Sequence, residues 1–251
     1  MLIVWKYYHL LPLNSVGEII LTLSSISFVV SASIDASHEL LHRPEPICKF
    51  FSYLNLFFLQ FTIYPTEHLY LHHKKVGTPE DPITSPKNRS IFVFYFNALY
   101  SCYKFNFNYS KQIFGFNFGS TLLINCILIT LAIKEGSGIN KALFFIAWAY
   151  FTLFIMEVIE YIEHYGLVYR NSEKAKPITE ISSWNANQNE LLNWFVFRFQ
   201  RHSDHHMNAY KIYPTLDLTD KMPLFPFDFV SGMLIAIIPP LWYYIMNPLA
   251  D

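Results

Sequence analysis

The sequence predicts an all-α integral membrane protein, folded as a helical bundle with clustered histidines at one face. Three observations predict this class. Hydrophobic residues make up 53% of the 251 residues and charged residues only 15%, whereas an average soluble domain has roughly 25% charged residues. Several apolar segments approach the roughly 20 residues that a membrane-spanning helix needs. Nine of the ten histidines fall into four short groups, separated by these segments.

Three segments have the length and apolar character of membrane-spanning helices, namely 14–37, 119–133 and 141–162. The loop "KEGSGIN" between the last two predicts a tight helical hairpin. Two further segments, 46–65 and 229–246, are apolar but short or interrupted by prolines. We expect both to be re-entrant or to lie in the membrane interface, which allows all the histidine groups to meet on one side of the membrane.

Lysines and arginines indicate which side that is. By the positive-inside rule it is the cytoplasmic face, or the matrix face of a mitochondrial inner membrane. We therefore expect a multi-pass protein of a bacterial inner membrane, or of the mitochondrial inner membrane or endoplasmic reticulum in a eukaryote. The basic residues beside the histidine groups are Arg43, Lys74, Lys75, Lys87, Arg89, Arg170, Lys174, Lys176, Arg198 and Arg201.

Charge and cysteine content exclude several other classes. The net charge of −1, without a basic run, gives no reason to expect nucleic-acid binding. Cys48, Cys102 and Cys126 show no CxxC spacing. This argues against a disulfide framework and against a cysteine-ligated metal or iron–sulfur site within the chain.

The spacing within the histidine groups is typical of metal ligands. Residues three or four apart share a helix face, so three pairs can each chelate one ion: His38/His42, His68/His72 and His202/His205. The adjacent His73 and His206 point about 100° away and can reach a second ion. With His164 in "EHYG", nine imidazoles exceed what one ion can use, so we expect two ions. Imidazole suits zinc, copper, iron and nickel, and the ligand type leaves the metal open.

Carboxylates accompany these histidines. They can orient the rings or complete the coordination, and they offset the charge of the ions. Glu157 and Glu160, late in a predicted span, are costly there unless they face the site or one another, and we expect them to face the site. The other nearby carboxylates are Asp35, Glu39, Glu67, Glu163 and Asp204.

A zinc peptidase is the alternative that "HELLH" raises, with Glu39 as its base. It would leave seven of the nine grouped histidines without a role, so we reject it. His9 lies outside every group and is interpreted as interfacial or structural.

In their order, "SIDASHELLHR", "TEHLYLHHKKVGTPEDP", "EYIEHYGL", "QRHSDHH" and the final "MPLFPFDFVSGML" segment resemble the integral-membrane alkane 1-monooxygenases. That family is related to the membrane fatty-acid desaturases and hydroxylases. Desaturases commonly use HxxHH as their second histidine motif, whereas this chain has HxxxHH. The motifs extend from about residue 30 to the end of the chain.

The resemblance implies a single membrane di-iron oxygenase-like domain over 1–251, with its non-haem di-iron site at the basic face. Such enzymes activate O₂ at two irons and insert one oxygen atom into the terminal C–H of an alkane or fatty-acyl-type chain. A rubredoxin-type donor supplies the electrons, and the lipid bilayer surrounds the helices. The residues that match the family's catalytic metal ligands are His38, His42, His68, His72, His73, His164, His202, His205 and His206.

The chain also departs from the family pattern. One clear span precedes "HELLH", where family members usually have several, so the chain resembles an N-terminally short member. Glu160 stands where the family tends to have asparagine. Two alternatives stay open: a desaturase-like lipid oxidoreductase, and a shortened, inactive homologue that serves as a metal-containing structural subunit beside partner membrane subunits.

Overall fold

The fold is a helical bundle, described by a computed structural model over residues 2–136, 139–168, 180–186 and 190–250. Within these ranges no strand occurs, and one isolated bridge pairs Asn185 with Leu224. Three of the basic residues named above, Arg170, Lys174 and Lys176, lie outside the described residues. The described α-helices are α1 (Leu2–Lys6), α2 (Val16–Leu41), α3 (Pro46–Phe58), α4 (Tyr64–Glu67), α5 (His73–Lys75), α6 (Ile91–Tyr109), α7 (Lys111–Lys134), α8 (Ile139–His164), α9 (Glu190–Phe195), α10 (His202–Met207), α11 (Phe229–Ala236) and α12 (Pro239–Met246). A π-helical turn, His68–His72, joins α4 to α5, and 3₁₀ turns cover Tyr8–Leu10 and Tyr213–Thr215.

Three helices, α2, α7 and α8, are long and apolar enough to cross a membrane. They coincide with the three segments predicted to span the membrane, although α7 begins earlier than predicted. Its start is set by Ser110, whose Oγ accepts a hydrogen bond from the Ile113 N–H, as an N-cap residue does. Ser15 caps α2 in the same way, through the Glu18 N–H.

Helix α8 is the central helix of the bundle and packs against α2, α6, α7 and α11. In its most apolar 18-residue window 56% of the residues are buried, against 28% for α2 and 22% for α7. The outer helices therefore leave much of their apolar surface uncovered, including Leu122, Leu123 and Ile127 of α7. Such a surface is typical of helices that face lipid.

The segment predicted as re-entrant, 46–65, forms the short helix α3 and a return. Asn55 Nδ2 donates to Ser37 Oγ at 2.7 Å and to the Ser33 carbonyl at 2.8 Å, which ties α3 to the second half of α2. The chain then turns at Gln60, whose φ is +60°. It continues into α4, and α4 leads directly to His68, His72 and His73. That this segment dips into the bilayer stays a prediction.

The segment 229–246 forms two eight-residue helices, α11 and α12, that pack against each other. Pro239 occupies the first turn of α12, where a proline is tolerated. Each helix is well short of the roughly 20 residues that span a bilayer. Trp242 of α12 is fully buried and lies 5.4 Å from the Tyr161 ring of α8, measured between ring centroids.

Helix α6 is an element that hydropathy did not predict. Its asparagines, tyrosines and lysine lower its apolar character, and it is not among the spanning helices. The periodicity nevertheless contained a signal, because the buried residues recur every three or four positions. They are Ile91, Phe94, Ala98, Cys102 and Asn106.

Close packing at Gly232 makes a testable prediction about α11. A Cβ added there would lie 2.6 Å from Cζ of Phe225. We expect Gly232→Ala to destabilise the fold by about 1–3 kcal/mol through overpacking, visible as a lower melting temperature in detergent. Gly115→Ala in α7 is the matched control, since nothing lies within 4 Å of its added Cβ. Equal melting temperatures for the two variants would show that this packing is not tight.

Candidate metal centre

Nine histidines converge on one buried region at the end of the bundle. They come from the end of α2, the π-turn and α5, the last residue of α8, and the short helix α10. Their nitrogen atoms form two groups, and within each group the atoms lie within 4.8 Å of one another. The first group is His38, His42, His68, His73 and His205, and the second is His72, His164, His202 and His206. His9 is exposed and belongs to neither group.

The first group brings four Nε2 atoms into a continuous row. The separations are 3.2 Å for His42–His68, 3.0 Å for His68–His73 and 3.2 Å for His73–His205. An imidazole nitrogen carries one proton or one lone pair, and so takes part in one good hydrogen bond at a time. Nε2 of His68 and of His73 each have two such neighbours. Hydrogen bonds alone therefore cannot satisfy this row.

A cation bound by several of these nitrogens would satisfy the row of Nε2 atoms. Imidazole nitrogens bind ions such as zinc at roughly 2.0–2.1 Å. At angles of about 90–110°, two of these nitrogens lie roughly 3.0–3.4 Å apart. The observed separations of 3.0–3.2 Å agree with that geometry. The donor set of the first group thus fits a transition-metal ion.

In the second group, hydrogen bonds set the tautomers of two rings. His72 Nδ1 lies 2.9 Å from Asp81 Oδ2, and His164 Nδ1 lies 3.0 Å from the Ser182 carbonyl oxygen. A carbonyl or carboxylate oxygen only accepts, so Nδ1 donates and Nε2 of the neutral ring keeps its lone pair. Both Nε2 atoms are buried and find no hydrogen-bond partner among the described residues. These hydrogen bonds orient the two Nε2 lone pairs so that they can bind a metal ion.

Two of the predicted ligand pairings are wrong. His68 shares a group with His73 rather than with His72. The reason is the π-turn at His68–His72, in which residues five apart, rather than four, come to the same face. The sequence spacing assumed a regular α-helix.

The same reassignment occurs in α10. His202 pairs with His206, with their Nε2 atoms 3.0 Å apart, while His205 turns to the first group. Both spacings, three and four, fit one helix face, so the sequence did not decide between them. The pairing of His38 with His42 is confirmed.

Most of the carboxylates named from the sequence serve other contacts. Glu39 pairs with Arg43, and Asp204 with Lys211. Glu67 lies 3.8 Å from Cys102 Sγ. Asp35 Oδ1 is buried and has no hydrogen-bond partner among the described residues.

Glu160 and Glu163 are the exceptions, since both belong to a group of potential ligand atoms together with His164 and His202. The prediction that Glu160 faces the site is therefore confirmed. Glu157, one turn earlier on α8, lines a small cavity with Glu67 and Glu160.

Asp81 is the carboxylate that the sequence analysis missed. Besides His72 Nδ1, Asp81 Oδ2 accepts a 2.7 Å hydrogen bond from Thr84 Oγ1, and Oδ1 accepts from the Ile83 N–H. Its position in "TPEDP", nine residues after His72, was available in the sequence. Only the loop that returns to the π-turn makes the contact.

Burial keeps the imidazoles neutral. It lowers the pKa of His42 to about 3, with Arg43 adding to the effect. Burial, followed by neighbouring histidines, lowers the pKa well below its usual value for His68, His73, His202, His205 and His206. Neutral imidazole is the form that binds metals.

His72 and Asp81 differ from the rest. Burial works against the charged form of both, but the Asp81 carboxylate raises the pKa of His72. Likewise, His72 and Thr84 hold the pKa of Asp81 below its ordinary value. The contact between them is therefore a charge-assisted hydrogen bond, and it fixes the orientation of the ring.

Known proteins resemble this chain over nearly its whole length. The family model described as Fatty acid desaturase matches residues 16–227. The alkane 1-monooxygenase 2 of Alcanivorax borkumensis is 29% identical over 247 residues, which cover 94% of this chain and 64% of that protein. The alkane 1-monooxygenase 1 of Pseudomonas aeruginosa is 30% identical over 236 residues, covering 87% and 60% respectively.

A third relative carries a different substrate in its name. The xylene/toluene monooxygenase hydroxylase component of Pseudomonas putida is 26% identical over 241 residues, covering 92% of this chain and 63% of the relative. The chain thus spans less than two thirds of the length of these three curated relatives.

The Asp81 contact can be tested by its effect on metal retention. We expect Asp81→Asn to weaken the metal affinity of the second group about 10- to 100-fold, because the ring of His72 loses its charged partner. Metal content after dialysis against increasing chelator concentrations measures the effect. Glu80→Gln is the matched control, since Glu80 pairs with the partly exposed Lys75 on the surface. Equal retention in both variants would contradict an orienting role for Asp81.

Proposed function

This chain belongs to the fatty acid desaturase family, and from that premise we propose that it is a membrane di-iron monooxygenase. Its substrate would be an alkane or a fatty-acyl-type chain, hydroxylated at the terminal carbon. The observation that supports this most strongly is the pair of buried histidine groups, in a chain whose relatives are named alkane 1-monooxygenases.

Each histidine group would hold one iron. The five imidazoles of the first group and the four of the second present neutral nitrogen donors, which suit iron. Two irons would supply activation of O₂, the chemistry that oxidation of an unactivated C–H bond requires. The protein contributes the ligands, their orientation and the apolar surroundings.

An apolar cavity beside the histidines suits a hydrocarbon. It has a volume of about 70 Å³ and lies between α2, α8, α11 and the segment before α10. Phe199 lines this cavity and also contacts both histidine groups, with its ring centroid 5.1 Å from that of His38 and 4.6 Å from that of His202. A terminal methyl offers no polar handle, so an apolar lining must position it. The cavity's apolar lining includes Ala32, Ile159, Phe199 and Met233.

A second, larger cavity of about 580 Å³ lies between α2, α3 and α8. Its lining includes Val30, Trp148 and Ala149. None of the nine histidines lines either cavity, but only the smaller one is lined by Phe199, whose ring contacts His38 and His202. We therefore assign the reacting end of the substrate to the smaller cavity.

The electrons would come from a separate rubredoxin-type protein. Cys48, Cys102 and Cys126 are free thiols on α3, α6 and α7, three different helices. Cysteines so dispersed do not form an electron-transfer cluster, which binds through several thiolates at one place. The family resemblance supports the identity of the donor.

A metal centre held by the same two histidine groups could also catalyse a desaturase-like reaction, as the name of the family indicates. The two reactions differ in their products, since a hydroxylase forms a primary alcohol and a desaturase forms an alkene. If the purified protein holds iron but oxidises neither substrate class, a structural subunit within a larger membrane complex becomes the better description.

Metal content tests the assignment of the nine histidines. We expect two irons per chain in the gently purified protein. His164→Ala and His205→Ala should each retain roughly one, because they remove ligands from different groups. Elemental analysis with Mössbauer spectroscopy measures this, and His9→Ala serves as the control outside both groups. An unchanged iron content in His164→Ala would contradict the nine-ligand assignment.

Filling the two cavities tests where the substrate binds. Ala32→Leu narrows the cavity beside the histidines, and we expect it to lower kcat/KM for n-alkane hydroxylation by about tenfold or more. Ala149→Leu makes the same change in the larger cavity, and we expect a smaller effect. The assay supplies NADH, rubredoxin and its reductase, and detects primary alcohol by gas chromatography. The reverse order of effects would place the reacting end of the substrate in the larger cavity.

A further inference from the structure

The last two turns of α8 direct two carboxylates at the second histidine group. Glu160 is 4% exposed and Glu163 is fully buried. Glu160 lies one turn before His164, so the two side chains share a helix face. Their potential ligand atoms, with those of Glu163 and His202, all lie within 4.8 Å of one another.

The distances are too long for hydrogen bonds and short enough for a common ion. Glu160 Oε2 lies 3.7 Å from His72 Nε2 and 3.8 Å from His164 Nε2. Glu163 Oε2 lies 3.5 Å from His202 Nε2. N–H···O hydrogen bonds extend to about 3.2 Å. Two ligand atoms that are each about 2.1 Å from one ion are separated by no more than about 4.2 Å.

The tautomers make these contacts unfavourable without a cation. When their rings are neutral, the form that binds metals, His72 and His164 donate through Nδ1 and their Nε2 lone pairs face Glu160 Oε2. Glu160 Oε2 also lacks a hydrogen-bond partner among the described residues. Lone pairs and a carboxylate that face one another in a buried region repel. A metal ion between them turns that repulsion into coordination.

The first histidine group differs because its ligand atoms all belong to imidazoles, and no carboxylate is among them in the described residues. Five neutral donors leave the charge of a bound cation uncompensated, whereas two carboxylates compensate most of it in the second group.

We propose that Glu160 and Glu163 are direct ligands of the ion in the second group, so that the two metal positions are chemically inequivalent. The first position is all-nitrogen, and the second combines imidazole nitrogen with carboxylate oxygen. This inference rests on the proposed two-iron function and specifies the ligands of one of its ions.

Spectroscopy of the unaltered protein provides the first test and needs no variant. We expect Mössbauer spectra of the ⁵⁷Fe-loaded protein to show two iron sites of equal amount with different parameters. X-ray absorption should require oxygen as well as nitrogen donors. Two equivalent, all-nitrogen sites would overturn the inference while leaving the proposed function intact. A protein without any bound metal would overturn both.

Substitutions then assign the oxygen donors. Glu160→Gln should weaken iron binding at the mixed site about tenfold or more and leave the other Mössbauer component unchanged. Glu160→Asp, which keeps the carboxylate, should retain more iron than Glu160→Gln. Glu163→Gln should affect the same component as Glu160→Gln.

Glu157→Gln is the matched control for these variants. It makes the same change on the same helix, at a residue that is also 4% exposed but outside the ligand group. Circular dichroism and melting temperature establish that each variant folds. If Glu160→Gln and Glu157→Gln keep identical iron contents and spectra, Glu160 is not a ligand.

Discussion

The rest of the structure depends on one constraint, the burial of many imidazole and carboxylate groups that hydrogen bonding cannot satisfy. The row of Nε2 atoms that runs through His68 and His73 has more neighbours than protons or lone pairs to meet them. In the second group, Nε2 of His72 and Nε2 of His164 both face Glu160 Oε2 at distances too long for a hydrogen bond. Such a cluster is costly in a low-dielectric interior unless cations occupy it. Metal binding and folding are therefore expected to be coupled in this protein.

The helices are arranged so that this cluster can form at one end of the bundle. Helix α8 is the most buried of the long helices, and its last turns provide Glu160, Glu163 and His164 together. The short helix α3 and its return bring His68 beside His38 at the end of α2. Phe199 lines a small apolar cavity and contacts both histidine groups. The same fold thus combines a polar, ligand-rich end with an apolar remainder that can face lipid or an alkyl chain.

Hydropathy predicted part of the fold well and another part not at all. Each of the three long helices contains an apolar window of 18 residues, so their composition alone identifies them as candidate membrane spans. Hydropathy did not predict α6 because its polar residues lower the mean hydropathy of the segment. Its apolar residues form a stripe that is buried by packing against α4, α7 and α8. The sequence did not predict the role of Asp81 because that role also depends on a tertiary contact. It lies in a loop, and its contact with His72 requires the chain to fold back after α5.

The sequence by itself determined the membrane class, the three long apolar helices and the nine histidines that are available as ligands. These features follow from composition and local spacing, which do not depend on distant contacts. The tertiary structure alone decided which histidines share a group, because the π-turn at His68–His72 replaces the hydrogen-bond spacing of four residues by one of five. It also decided that His205 and His206 of α10 turn to different groups, and that Glu160 and Glu163 face the second. A sequence specifies which ligands are available, but the approach of separate helices sets the angles and distances at which they meet.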